Sequence, residues 1–178
     1  MDWRIVIRPL LEKNMFNAKE GEIILDKKTG HVTIKHNGKY KSKTKELEAR
    51  ANALLSYKNK LVKKFIELAE EIERLLNSID VLKDDTKKVR DRAEELYVSL
   101  TELDADVESL MTLIDNFCKE LKDFQYKEIR PFLDPIVDNL KDILKLKATI
   151  DEMKFLANDI TNQKISNKSG LDQIGGGY

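Results

Sequence analysis

The chain has 178 residues, of which 36% are charged, and its 32 basic and 32 acidic side chains cancel. Charged residues make up only about 25% of a typical globular domain, so this composition favours a protein with much surface for little core. The balanced charge gives no overall field that attracts nucleic acid or an anionic membrane, and no apolar run approaches the roughly 18 residues of a membrane span. We therefore expect neither nucleic acid nor a membrane as a partner.

Residues 1–42 have the composition of strands and turns. β-Branched or alternating runs occupy 4–8, 22–26 and 31–35, and the dipeptide Asn37-Gly38 suits a tight hairpin turn before a further run at 39–42. These runs predict a small antiparallel β meander. So short a unit buries too little apolar surface to be stable alone, and we expect it to dock on a partner. The side chains expected to form this docking module are Trp3, Ile5, Ile7, Ile23, Leu25, Val32, Ile34 and Tyr40.

Residues 43–128 carry a heptad repeat and contain no proline, and Gly38 is the last glycine before it. Every seventh residue from Leu47 is apolar, and the companion series four residues later is apolar except at Lys58 and Thr86. This spacing is typical of a coiled coil. The predicted core residues are Leu47, Leu54, Leu61, Phe65, Leu68, Ile72, Leu75, Ile79, Leu82, Val89, Leu96, Leu100, Leu103, Val107, Leu110, Ile114, Phe117, Leu121 and Phe124.

The heptads fit two architectures. Apolar residues beside the seam, such as Leu55 and Val62, widen the stripe and indicate that three or more helices meet. Either identical chains wrap around one continuous helix from 44 to 128 as a parallel trimer, or the chain turns near 77–80 or 83–86 and again at Pro131 into a monomeric three-helix bundle. The heptads keep one register across 77–92, which favours the continuous helix. The sequence thus predicts a mainly α protein with a long, trimeric coiled coil.

Two prolines end the repeat. Pro131 and Pro135 remove backbone donors and disfavour helix in the residues before them, which predicts a joint at 129–135. Asp134 is a suitable N-cap for a helix with Pro135 at its first position, so an amphipathic helix is expected over 136–165. The serine- and glycine-rich residues 166–178 predict a flexible tail.

Few residues suggest chemistry. His31 and His36 lack the spacing of metal ligands, and Cys118 lies beside the heptad seam, where a small apolar thiol is expected rather than a nucleophile. The start of the chain lacks the basic and apolar layout of a signal peptide, which favours folding in cytoplasm. We expect no enzyme activity, no metal and no cofactor.

The segment Gly21–Lys35, with its D-x-x-T-G run at 26–30, continues through Ser42–Glu48 into the heptads. It resembles the start of virion fibre and baseplate proteins of tailed bacteriophages, in which a small N-terminal β module attaches to the particle and a trimeric stalk projects from it. The resemblance implies a homotrimeric virion component, such as a fibre, strut or baseplate or neck adaptor. Residues 1–42 would dock on other virion structural proteins. The residues themselves leave a second function open, a monomeric helical-bundle protein-interaction module.

Overall fold

The computed structural model describes residues 3–5, 7, 21–26, 31–36, 42–81 and 86–162, with backbone alone for the two strands and for 79–81 and 86. Two strands, β1 (Gly21–Asp26) and β2 (His31–His36), precede three long helices. The helices are α1 (Lys43–Val81), α2 (Thr86–Glu120) and α3 (Tyr126–Thr161). The protein is therefore mainly α, and its three helices pack as a helical bundle.

The β1–β2 hairpin matches the prediction for 22–26 and 31–35. The strands are antiparallel, and their register sets Ile23 opposite Ile34 and Leu25 opposite Val32. The run at 4–8 differs from the prediction, because Trp3, Arg4, Ile5 and Ile7 are helical. Trp3 and Ile7 are buried, whereas Ile5 is 74% exposed. A helix places residues four apart, such as Trp3 and Ile7, on one face, whereas a strand would place all three residues on the same face. The predicted run at 39–41, including Tyr40, lies outside the described residues.

Helix α1 begins at a capped end. The Ser42 hydroxyl accepts a hydrogen bond from the Lys45 backbone N–H at 3.2 Å, and Glu46 lies in the first turn, where a negative charge opposes the positive end of the helix dipole. No glycine or proline interrupts the helix up to Val81. Local sequence therefore explains both where α1 starts and why it is long.

The described residues fall into two compact units. Unit 1 comprises 1–63 and 105–147, and it contains the first part of α1, the last part of α2 and the first part of α3. Arg50 pairs with Glu120, and Lys147 pairs with Glu108 at 2.8 Å, so neighbouring helices in the chain run antiparallel in this unit. Its buried apolar side chains include Trp3, Ile7, Leu47, Leu54, Leu61, Val107, Leu110, Ile114, Phe117, Leu121, Ile129, Phe132, Ile136, Ile143 and Leu146.

Unit 2 comprises 64–104 and 148–178, with the remaining turns of the same three helices. An ion pair joins Glu71 on α1 to Arg92 on α2, and Lys154 on α3 lies 3.8 Å from the Asp104 carboxylate on α2. The buried apolar side chains of this unit are Phe65, Ile66, Ala69, Ile72, Ala93, Leu96, Leu100, Leu103, Ile150, Ala157 and Ile160.

The prediction of one continuous helix from 44 to 128 is wrong. Glu71 and Arg92 are hydrogen-bonded although 21 residues separate them, and in a continuous helix they would lie about 30 Å apart. The chain thus reverses between α1 and α2, in the region of the predicted turn at 83–86. Each helix carries heptads because each presents one apolar face to an interior, and the register that the two helices share does not require them to be continuous.

The second reversal lies at 121–125 rather than at Pro131. The end of α2 tightens into i→i+3 hydrogen bonds, from Leu121 N–H to the Cys118 carbonyl and from Phe124 N–H to the Leu121 carbonyl, both at 3.1 Å. Helix α3 then starts at Tyr126, so Pro131 and Pro135 lie inside it. The predicted joint at 129–135 is therefore part of a helix.

Packing and side-chain bonds hold these proline-containing turns helical. Ile129 and Phe132 are buried in unit 1, which anchors the turns around Pro131. Asp134 is not an N-cap: its carboxylate accepts hydrogen bonds from the Tyr126 hydroxyl at 2.7 Å and from Arg130 Nε at 3.3 Å, along the same helix. Pro131 itself is exposed, so its ring lies on the solvent side of the helix.

Candidate functional site

A buried polar network lies in the interior of unit 1. Lys58, the polar member of the companion heptad series on α1, has no exposed surface. Its ammonium donates a hydrogen bond to the Asn139 Oδ1 of α3 at 2.7 Å and lies 3.8 Å from the Asp142 carboxylate. Asn139 in turn donates from Nδ2 to the Pro135 backbone carbonyl at 2.7 Å. The network therefore ties α1 to one position along α3.

The chemistry of this network is structural. A buried ammonium is costly unless an opposite charge and hydrogen-bond acceptors surround it, and Asn139 and Asp142 supply both. Because Lys58 is fully enclosed, no substrate reaches its amine, and it does not act as a nucleophile or a general base in this fold. A polar residue at a core heptad position fixes which helices pair and in which register.

Tyr57 adds a second perturbed group beside this network. The side chain is 8% exposed, and burial, together with the Asp106 carboxylate on α2, raises the pKa of the Tyr57 phenol to about 12. The hydroxyl therefore stays protonated across the physiological range. Tyr57 acts as a buried packing group of α1 near Asp106 of α2, not as a base.

An aromatic and ionic cluster marks the other part of unit 1. The Arg50 guanidinium of α1 lies 5.2 Å from the centre of the Phe117 ring and pairs with Glu120 at 2.5 Å. The rings of Phe117 and Phe132 are 6.3 Å apart and tilted by 58°. The cluster joins all three helices by a cation–π contact, an ion pair and an aromatic pair.

Unit 2 contains ion pairs near its surface. Arg92 bonds to Glu95 at 2.6 Å and also to Glu71, and these two carboxylates raise the pKa of the guanidinium. Lys154 lies 5.6 Å from the centre of the Tyr97 ring. Such contacts between partly exposed groups contribute about 0–1 kcal/mol each, so they orient the helices more than they stabilise them.

An apolar face of α3 in unit 1 is open to solvent. Tyr126, Val137 and Leu144 are 56%, 50% and 54% exposed, and Leu133 between them is half-buried. Their spacing of seven, four and seven residues places all four on one side of the helix, away from the buried residues Ile136 and Ile143. We call these four residues the α3 outer face. It has the pattern of a helix-packing seam on a surface that faces solvent.

The predicted core residues are largely in the interior. Most of them are buried, whereas Leu68, Leu75, Val89 and Phe124 are half-buried. The side chains of Ile79 and Leu82 lie outside the described residues. These positions pack within units of a single chain, which is the arrangement of the monomeric alternative.

The predicted docking residues differ in where the structure places them. Trp3 and Ile7 are buried, so they belong to the interior of unit 1. Ile5 is exposed. The side chains of Ile23, Leu25, Val32 and Ile34 lie outside the description. Trp3 and Ile7 are therefore not part of an exposed docking surface, and the docking role of the other residues stays a prediction.

Cys118 is half-buried, and burial, followed by the charge of Asp115, raises the pKa of its thiol. A raised pKa lowers the fraction of reactive thiolate. His31 and His36 occupy the two ends of β2. Across the described ranges, no three His, Cys, Asp or Glu side chains gather closely enough to hold a metal ion.

Asn139 and Asp142 of the buried network, like the four residues of the α3 outer face, were not among the residues predicted from the sequence. A signal was present, because the α3 series Phe132, Asn139, Leu146 and Met153 is apolar at every seventh residue except Asn139. A single polar residue in each of two apolar series, Lys58 in α1 and Asn139 in α3, indicates that the two face each other. Asp142 lies one turn away on the same side of α3.

The comparisons with known proteins give a family. The model of a family of unknown function, DUF8567, matches residues 2–169. The chain belongs to this family. No curated protein and no solved structure matches the chain. Within the residues that the structure describes, no helix has the length and apolar content needed to cross a membrane.

Proposed function

We propose that the chain is a monomeric helical-bundle module that binds a partner protein through one helix face. The observation that carries this proposal is the α3 outer face, an apolar stripe with helix-packing spacing that none of the described helices covers. Isolated exposed apolar residues are common, but an aligned set on one helix is typical of a surface that receives another helix.

The buried network supports the monomer. A parallel trimer built on the heptads would bring three copies of Lys58 to a common axis, where ammonium groups repel one another. In the single-chain bundle the same side chain is satisfied by Asn139 and Asp142. The heptad core is then used within one chain, and the remaining apolar face is available for a different protein.

Mass measurement by light scattering tests this proposal. A monomer has a mass of 20.6 kDa, whereas a trimer has three times that mass, about 62 kDa. The variant to compare with the wild type is Lys58→Leu, because it removes the charge whose three copies would repel one another in a trimer. A wild-type trimer would refute the module, and a monomer would support it.

A second candidate function is the virion structural component. The β1–β2 hairpin favours it, because the segment that resembles phage fibre and baseplate proteins forms the antiparallel pair expected of an attachment module. In this function the chain assembles as a homotrimer and docks on other virion proteins through its first 42 residues. The same mass measurement separates the two candidates, since this one requires the trimer.

A further inference from the structure

The α3 outer face carries positive charge along its solvent side. Arg130 is aligned with the apolar residues, and Lys127, Lys141 and Lys145 follow the edge of the stripe that points away from the interior. Arg130, Lys127 and Lys141 are all exposed. Two acidic residues, Asp134 and Asp138, share this edge, so basic residues outnumber them.

The nearer acidic group is already engaged. Asp134 accepts hydrogen bonds from the Tyr126 hydroxyl and from Arg130, and the Tyr126 bond raises the pKa of the phenol. Asp134 and Arg130 therefore form a neutral pair, and Lys127, Lys141 and Lys145 still outnumber Asp138 along the edge. A helix that packed on the face would meet a net positive edge beside an apolar centre.

A second copy of the chain fits this face poorly. In an antiparallel pair, the spacing sets Leu133 against Val137 of the second copy. The nearest edge positions then bring Lys127 opposite Lys141 of the second copy and Asp134 opposite its own equivalent. A parallel pair instead places two copies of Arg130 against each other at the centre. Both arrangements juxtapose like charges, which disfavours them.

We infer that the α3 outer face binds an acidic amphipathic helix of another protein. The partner helix inserts apolar side chains at heptad spacing between Tyr126 and Leu144 and sets carboxylates opposite Lys127, Arg130 and Lys141. This inference rests on the proposed interaction module and specifies its partner. Its chemistry follows the helix-in-groove mode, in which apolar anchors supply affinity and edge charges supply specificity.

Two designed peptides of about three heptads test the inference. They share the same apolar heptad residues, and one carries Glu at the edge positions whereas the other carries Lys. Binding of each fluorescent peptide to the full chain is measured by fluorescence anisotropy at low and high salt. We expect the Glu peptide to bind at least about ten-fold more tightly than the Lys peptide at low salt, with the difference shrinking at high salt.

Surface variants locate the binding. Leu144→Ser removes an apolar anchor, and the double variant Lys127→Glu/Lys141→Glu reverses the edge charge. We expect each to weaken Glu-peptide binding about ten-fold or more, and the charge reversal to improve binding of the Lys peptide. Val98→Ser, at a 52% exposed apolar residue of α2 in unit 2, is the control on another helix and leaves binding unchanged. Circular dichroism confirms that all variants remain folded.

The outcomes separate the inference from the proposed module. Equal or tighter binding of the Lys peptide, or no binding of either peptide by a monomeric chain, overturns the acidic partner while the monomer stands. A wild-type dimer that Leu144→Ser dissociates also overturns it, in favour of a second copy. A trimer by mass overturns the module itself.

Discussion

Asn139→Leu should destabilise the protein through Lys58, to which Asn139 is bonded. The substitution removes the 2.7 Å hydrogen-bond acceptor of a fully buried ammonium, which the Asp142 carboxylate approaches only to 3.8 Å. A hydrogen bond to a charged group contributes about 1.5–3 kcal/mol, and the added apolar surface of leucine offsets little of this because the ammonium stays buried. We expect the free energy of unfolding to fall by about 2–3 kcal/mol.

A double-mutant cycle isolates the interaction. Lys58→Met alone leaves Asn139 and Asp142 buried without their cation, so we expect a loss of about 3–5 kcal/mol. In the double variant Lys58→Met/Asn139→Leu, the second change no longer removes the bond to Lys58, and the combined loss should be about 2 kcal/mol smaller than the sum of the single losses.

Urea unfolding, followed by far-ultraviolet circular dichroism, measures these free energies. Asp138→Ala, an exposed position on the same turn of α3, is the control and should change stability by no more than about 0.5 kcal/mol. If the losses from Lys58→Met and Asn139→Leu add within about 0.5 kcal/mol, the two side chains are not coupled, and our account of the network is refuted.

Three further predictions concern unit 1. Phe117→Ala should cost about 3–5 kcal/mol in urea unfolding, because it empties a buried site and removes the ring against Phe132; an undiminished stability would contradict that packing. Burial raises the Tyr57 pKa from 10.0 to about 12, so the unfolded chain releases this proton at a lower pH than the folded chain does. The free energy of unfolding should therefore fall by up to about 2 kcal/mol between pH 10 and pH 12, and Tyr57→Phe should lack that part of the fall. Because its thiol pKa is raised, Cys118 should react slowly with iodoacetamide at neutral pH. A cysteine at exposed position 116, in the variant Asn116→Cys/Cys118→Ser, should react faster, and equal rates would argue against the burial of Cys118.

The α3 start shows where local signals are overridden. Pro131, Pro135 and Asp134 together have the local chemistry that predicts a joint followed by a new helix. The burial of Ile129 and Phe132 and the bonds to Asp134 make the same residues helical. Backbone donors lost at proline cost a few kcal/mol, which packing of two large side chains can offset.

The sequence by itself determined which residues are apolar and at what period, and therefore that long amphipathic helices form and which faces they bury. It also determined the β1–β2 pairing, because alternating runs and a turn lie within a short stretch of chain. Tertiary structure alone decided whether those faces meet in one chain or several. The apolar face of a heptad helix can pack equally well on a helix of another chain or on another helix of the same chain. The seven-residue period therefore carries no information about which of the two it packs on. Contacts between residues far apart in sequence show that the helices of one chain pack on one another, above all Glu71 with Arg92 and Lys58 with Asn139.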